Sequence, residues 1–268
     1  MIAVELRAML RRPRTWVVIL LLDALPTLVA VLLAFTKIGP RPGQGPAFLS
    51  AVLSNGQLFP LAALAIVLPL FLPVAVAVIA GDAIAGEAQA GTLRYLLTRP
   101  VGRTKLLVAK LVSVVAFVVL AVLVVAATAY VTGTSLLGQS SLATGLSGTS
   151  LTQQDVVIRT ALAIGYVVLS MLGVAAVALF FSTITDSPLA ATLGALALLI
   201  ASTLLLSLDA ASALQPYLPT RYWLAFVDLF RDPIPTRDLF RGIGLQVVYV
   251  AVFLGASWAN FASKDIAS

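Results

Sequence analysis

Side chains able to carry acid–base or nucleophilic chemistry are scarce in this chain. Its 268 residues include no cysteine and no histidine, which removes thiolate metal sites, cysteine nucleophiles and the commonest general base. Asp82 and Glu87 come closest to a carboxylate pair, but their offset of five residues places them poorly on one helical face. Glu87 is therefore better interpreted as a contact residue than as a catalytic acid or base.

Sequence motifs for nucleotide binding and hydrolysis are also missing. No lysine follows a glycine, so the Gly-Lys-Ser/Thr phosphate loop is absent and the chain does not bind ATP by that route. His-Glu-x-x-His, Gly-x-Ser-x-Gly and Gly-x-Gly-x-x-Gly are absent too. We predict that the chain is not an enzyme and holds no metal or cofactor itself.

The composition indicates an integral membrane protein. Hydrophobic residues make up 60% of the chain and charged residues only 10%, whereas a soluble domain has about 25% charged residues. The mean hydropathy is +1.06. The formal charge of +6 is spread between apolar runs, so it favours a role in membrane orientation over nucleic-acid binding.

We therefore predict an all-α polytopic protein with one transmembrane domain over residues 1–268. A hydrocarbon core of about 30 Å requires roughly 20 helical residues, and six apolar runs meet that requirement. They are residues 16–35, 61–80, 106–131, 160–181, 189–208 and 243–261. With these spans, ten Lys and Arg residues fall on the side of the N-terminus and seven on the other, so we expect both termini in the cytosol.

Three features outside this pattern could have specific roles. Residues 1–14 combine arginines with apolar residues at helical spacing, which predicts either an interfacial helix or a plain basic anchor. Residues 209–242 contain six aromatic residues and are expected to lie along the outer interface or to dip into it. Asp23 lies inside the first span, where a charge costs about 2.5–3.5 kcal/mol. It is either a structural contact between helices or part of the translocation path.

The most informative polar stretch is residues 82–105, between spans two and three. Leu93, Leu96 and Leu97 fall at i, i+3, i+4 spacing, which predicts a short amphipathic helix. Pro100 should end it, because a proline disfavours helical geometry in the residue before it. Such a helix suits docking against a cytosolic protein.

The order of residues in this stretch resembles the type-2 ABC exporter permease family. That family's pattern is an acidic residue, Gly-Thr-Leu, a Leu pair, Pro, a basic residue and a Lys that enters the third span. The matching residues are Gly86, Glu87, Gly91, Thr92, Leu93, Leu96, Leu97, Thr98, Arg99, Pro100, Arg103 and Lys110. The resemblance continues in the basic N-terminal helix, the aromatic segment before the last span, and Lys264, Asp265 and Ile266 at the end.

The resemblance implies the membrane-spanning subunit of an ATP-driven exporter. Two permease copies, identical or related, would pair with two copies of a separate ABC ATPase, which would bind ATP and Mg²⁺. The residues implied to contact that ATPase through a coupling helix are Glu87, Gly91, Thr92, Leu93, Arg94, Leu96, Leu97, Arg99, Pro100 and Arg103. Gln89 and Ala90 stand where acidic residues are frequent in the family, so Glu87 would carry more of the polar contact. The leucines could instead pack on lipid or on the N-terminal helix.

Two other functions stay open at this point. One is a stand-alone secondary transporter or channel that uses Asp23 as an ion site. The other is a non-transporting membrane scaffold or enzyme, against which the missing His and Cys residues speak. For the exporter, a mostly apolar interior favours an amphipathic or lipid-like substrate, drugs and antibiotics included. The basic, cysteine-free composition fits the bacterial cytoplasmic (inner) membrane.

Overall fold

A computed structural model describes residues 2–36, 52, 55–91, 102–138 and 143–263. Within these residues, six helices are long and apolar enough to cross a membrane, so the chain is an all-α polytopic membrane protein. The α-helices are α1 Ile2–Arg11, α2 Pro13–Thr36, α3 Phe59–Val67, α4 Phe71–Gln89, α5 Arg103–Leu136, α6 Gln153–Ile184, α7 Pro188–Leu206 and α8 Thr236–Ser263. A short antiparallel pair, β1 Ala143–Thr144 and β2 Ser150–Leu151, precedes α6.

The corner between α1 and α2 is closed by side chains. Pro13 starts α2, where its missing N–H costs nothing because the first turn has no intrahelical acceptor for it. The Thr15 hydroxyl donates to the carbonyl of Met9 at 2.8 Å, and the Trp16 indole N–H donates to the carbonyl of Leu10 at 2.8 Å. Both acceptors belong to the last turn of α1, whose carbonyls lack helical partners. These two hydrogen bonds fix the angle between α1 and α2.

The second predicted span is a broken helix. Residues 68–70 separate α3 from α4, because Pro69 and Pro73 cannot donate the backbone hydrogen bonds that would join the two halves. Seven residues of α3 are buried, whereas Pro69, Leu70 and Phe71 at the break are exposed. At its other end α4 continues beyond residue 80 to Gln89, so residues 82–89, which we assigned to a connecting segment, form its last turns.

The third and fourth spans are longer than hydropathy indicates. α5 has 34 residues and α6 has 32, lengths of about 51 and 48 Å at 1.5 Å per residue. Both exceed the hydrocarbon core and extend into the interface. α6 starts with a capping box in which Thr152 and Asp155 exchange backbone and side-chain hydrogen bonds. α6 packs against α4, α5, α7 and α8 and forms the centre of the bundle.

The aromatic segment before the last helix folds against the bundle. It contains three short 3-10 turns, Asp209–Ala211, Gln215–Tyr217 and Trp223–Phe230. Four of its aromatic residues are buried, namely Tyr222, Trp223, Phe226 and Phe230. Tyr217 and Phe240 are each 68% exposed, and Phe240 already belongs to α8, which begins seven residues before the predicted span.

Side chains of α6 and α8 hold this segment through its backbone carbonyls. Tyr166 donates to the carbonyl of Tyr222 at 2.7 Å, and Gln246 donates to that of Pro219 at 2.8 Å. Arg159 donates to the carbonyls of Leu229 and Arg231, both at 3.0 Å. The segment therefore packs as a lid on one end of the bundle, opposite the end that carries α1.

Candidate coupling junction

Lys110 is a charged side chain buried where three helices meet. It lies near the start of α5 and is 5% exposed. Its Nζ atom is 2.9 Å from Oε1 of Glu87 on α4 and 3.1 Å from Oε2 of Glu5 on α1. A buried ammonium is tolerated only with such partners, because burial removes its hydration. One cation thus ties α1, α4 and α5 together.

A second ion-pair group lies one turn away on α4. Arg14 of α2 donates to Oδ2 of Asp82, and Nη1 of Arg12 is 3.8 Å from the same oxygen. The carboxylate of Asp82 lies over Gly86, one turn further along α4. A Cβ atom on residue 86 would come within 2.6 Å of Oδ1 of Asp82. Gly86 therefore leaves room for Asp82 to reach the arginines. We name the six residues Glu5, Arg12, Arg14, Asp82, Glu87 and Lys110 the junction.

The inner turns of α4 are also bonded to α6. The backbone N–H groups of Ile84 and Ala85 donate to the hydroxyl of Ser182 at 3.0 and 2.9 Å. Ser182 is fully buried, so this contact lies away from water, where hydrogen bonds are electrostatically stronger. Nearby, Arg103 donates to the carbonyl of Ala262 at 2.9 Å. The ends of α4, α5, α6 and α8 consequently form one connected layer.

The structure describes three of the residues implied to contact an ATPase. Glu87 belongs to the junction, and Arg103 starts α5 and reaches α8. Gly91 follows the end of α4 with φ +69°, a left-handed conformation that glycine adopts without strain and that commonly ends helices. The other seven lie outside the described residues: Thr92, Leu93, Arg94, Leu96, Leu97, Arg99 and Pro100. Lys264, Asp265 and Ile266 also lie outside them.

The junction lies where the connection between α4 and α5 begins and ends. Both helices end on the side of α1, and residues 90–102 join them. Glu87 precedes this connection and Lys110 follows it, and the two side chains are in contact. A groove of about 400 Å³ opens beside it, bordered by Arg12, Arg14 and Glu87. Lys110 therefore ties the end of α4 to the start of α5, and Glu5 adds α1 to the same contact.

Asp23 occupies a different place, near the middle of α2. The hydroxyl of Thr128 on α5 has two acceptors within reach of its single proton, Oδ1 of Asp23 and the carbonyl of Val124. Asp23 is half-buried and lies nine residues after Arg14 on α2, about 13.5 Å further along the helix axis at 1.5 Å per residue. The contact bridges two neighbouring helices, as expected for an intramembrane carboxylate that faces a partner helix.

We expect Asp23→Asn to leave the fold intact. The amide oxygen can still accept the hydroxyl proton of Thr128, so the free energy of unfolding should change by less than about 0.5 kcal/mol. Equilibrium unfolding in detergent micelles measures this.

The same variant tests the hypothesis of a stand-alone secondary transporter or channel. If liposomes holding this chain alone pass protons or sodium and Asp23→Asn abolishes the flux, the carboxylate is an ion site and not only a contact.

Three junction residues, Glu5, Arg12 and Arg14, were not predicted as site residues from the sequence, and neither was Ser182 beside the junction. Glu5 is the single acidic residue within the basic N-terminal stretch. This isolation was the sequence signal for a site role of Glu5, since a single carboxylate in a basic stretch can pair with a buried cation from another part of the chain. In the described ranges, no cluster of three or more His, Cys, Asp or Glu side chains could hold a metal ion.

Comparison with known proteins identifies a family. The profile described as "Protein of unknown function (DUF2705)" matches residues 27–267, which covers the second half of α2 and the elements that follow it. No curated protein matches the sequence significantly. The profile spans well over half of the chain, and the chain therefore belongs to the DUF2705 family.

Proposed function

We propose that this chain is the permease subunit of an ATP-driven exporter of the ABC type-2 class. It would sit in a bacterial cytoplasmic membrane with α1 and the junction on the cytosolic side. A second permease copy and two copies of a separate ATPase would complete the transporter. ATP and Mg²⁺ would bind to the ATPase, and this chain would carry out no hydrolysis itself.

One observation carries the proposal: the Glu87–Lys110–Glu5 contact at the base of residues 90–102. A connection that merely linked two spans would not need a buried ion triad, because taking charges out of water is costly. The triad would have a mechanical role if a soluble partner exerts a force on residues 92–101, because the triad connects the helices on both sides of that segment. Leu93, Leu96 and Leu97 would then fill an apolar groove of that partner.

The break in the second span is evidence in favour of a movement of α4 during transport. α4 carries Asp82 and Glu87 at one end and is separated from α3 by residues 68–70 at the other. Breaks of this kind let a helix segment tilt without bending a continuous hydrogen-bonded rod. A push on the connection would thus tilt α4 while α3 stays packed against α5. Such a tilt would change access to the membrane interior.

The apolar grooves of the bundle favour an amphipathic or lipid-like substrate. A groove of about 430 Å³ between α3, α5 and α6 is bordered by Leu123, Tyr130 and Ile164. Its size lies within the range of small-molecule sites, and its lining is mostly apolar with a few polar groups. A strongly charged substrate would find no compensating charge there.

The direct test is to look for an ABC ATPase gene next to the gene of this chain and to assay whether its product forms a complex with the chain. We expect the two proteins to co-purify and ATP hydrolysis to rise when the permease is added, because docking at residues 92–101 couples them. Leu96→Arg should abolish both effects, since a charge cannot enter an apolar groove without its hydration. Size-exclusion chromatography and phosphate release are the measurements.

Leu214→Arg is the matched control. Leu214 is 55% exposed in the aromatic segment at the opposite end of the bundle, so the same substitution there should leave the complex intact. The proposal fails if the wild-type chain forms no complex, or if Leu96→Arg and Leu214→Arg behave alike.

A further inference from the structure

α1 presents two arginines that have no salt-bridge partner among the described residues. Arg7 and Arg11 are exposed and lie one helical turn apart on the same face. Neither forms a salt bridge with any described residue, whereas Arg12 and Arg14 are engaged by Asp82. This basic face points away from Glu5 and Met9, which contact the bundle.

Beside the basic face runs an apolar one. Ile2, Leu6 and Leu10 recur every four residues, and Ile2 and Leu10 are 44% and 45% exposed. A helix with one apolar and one basic face lies in the plane of a membrane surface, with its apolar side among the acyl chains and its arginines at the headgroups. The bundle occupies the third side of α1 and fixes which way the other two faces point.

Two tryptophans place the headgroup layer at this end of the bundle. Trp16 is 45% exposed and Trp258 is 53% exposed. Their indole N–H groups donate to the carbonyl of Leu10 and to the hydroxyl of Thr104, at 2.8 and 3.2 Å. Partly exposed tryptophans with a satisfied polar edge are typical of the membrane interface. Trp16 lies next to α1, so α1 is at headgroup depth.

We propose that Arg7 and Arg11 bind the headgroups of anionic phospholipids and that α1 thereby senses the charge of the adjacent leaflet. Guanidinium groups pair with phosphate oxygens through two parallel hydrogen bonds. In a zwitterionic lipid, the lipid's own ammonium group competes with the arginines for the phosphate. Lipids with a net negative charge therefore bind the arginines better. Because Glu5 lies on the opposite side of α1 and holds Lys110, a bound lipid layer would press α1 onto the junction.

The experiment uses the full chain in detergent, without nucleotide or ATPase. Native mass spectrometry counts bound lipids during titration with phosphatidylglycerol or with phosphatidylcholine. We expect the wild type to prefer phosphatidylglycerol and Arg7→Gln/Arg11→Gln to weaken that binding about thirtyfold, since each basic residue near an anionic surface contributes about 1 kcal/mol. Arg7→Lys/Arg11→Lys should retain most of it, because the charge remains.

α8 provides the matched control pair. Arg237 and Arg241 are also exposed, one turn apart, and at the opposite end of the bundle, so Arg237→Gln/Arg241→Gln should change phosphatidylglycerol binding less than the α1 pair. Added inorganic phosphate should not displace the lipid. The proposal is overturned if phosphatidylcholine binds as well as phosphatidylglycerol, if the α1 pair can be replaced without loss, or if both pairs lose equally. None of these outcomes bears on ATPase docking, so the two proposals stand or fall separately.

Discussion

Lys110→Met is expected to cost about 3 kcal/mol of the free energy of unfolding, the largest loss from any single change at the junction. Methionine fills a similar volume but leaves Glu5 and Glu87 facing each other with no cation between them. The lysine side chain is 6% exposed and the two carboxylates are 19% and 21% exposed. Water can therefore compensate only part of the loss, which places the expected value at the lower end for broken buried pairs.

Two comparisons separate this electrostatic effect from simple loss of a lysine. Lys105→Met, at an exposed position of the same helix, should change stability by less than about 0.5 kcal/mol. Combining Lys110→Met with Glu5→Gln and Glu87→Gln should recover most of the loss, because no uncompensated charge remains. Equilibrium unfolding in mixed micelles gives all three values. Equal stability of Lys110→Met and the wild type would show that the triad does not hold the three helices together.

Gly56→Ala is expected to displace α3 and to destabilise the protein by about 3 kcal/mol, the upper range for overpacking. A Cβ at this position would lie 2.0 Å from the carbonyl oxygen of Gly133 and 2.8 Å from that of Gly138. Both obstacles are backbone atoms and cannot rotate away as a side chain could. The Gly56 N–H also donates to the carbonyl of Gly138 at 3.1 Å, so the chain cannot move without losing that hydrogen bond.

Gly165→Ala on α6 and Gly255→Ala on α8 are the matched controls. Neither position has a heavy atom within 4 Å of the added Cβ. Both variants should be neutral or more stable by about 0.5–1 kcal/mol, since alanine favours helix more than glycine does. Unfolding curves for the three variants, recorded under one condition, check the contrast. If Gly56→Ala matches its controls, the close approach of the two backbones is not essential.

The number and order of the membrane helices were predictable from the sequence, because the cost of placing polar groups in hydrocarbon is a local property of each stretch. Helix ends were less predictable. The apolar run of the second span stops at Ala80, but α4 continues to Gln89 because backbone hydrogen bonding does not stop at the membrane surface. Its actual end depends on Gly91, which enters the left-handed region.

The break in the second span was only partly predictable. Two prolines, Pro69 and Pro73, lie inside the predicted span 61–80, and prolines can kink a membrane helix without interrupting it. Whether the freed backbone groups find other partners depends on the neighbouring helices, and the sequence of this span does not contain those neighbours. The structure resolves the kink into two helices with residues 68–70 between them.

By itself, the sequence of this protein determined a six-span helical membrane chain and marked Glu87 and Lys110 as residues of interest. The tertiary structure decided which contacts they make, because Glu5, the second carboxylate bound to Lys110, lies 105 residues before that lysine in the chain. The same holds for Asp82, whose partner Arg14 is 68 residues distant. No periodicity relates such positions, and only the packing of α1 and α2 against α4 and α5 brings their charges into contact.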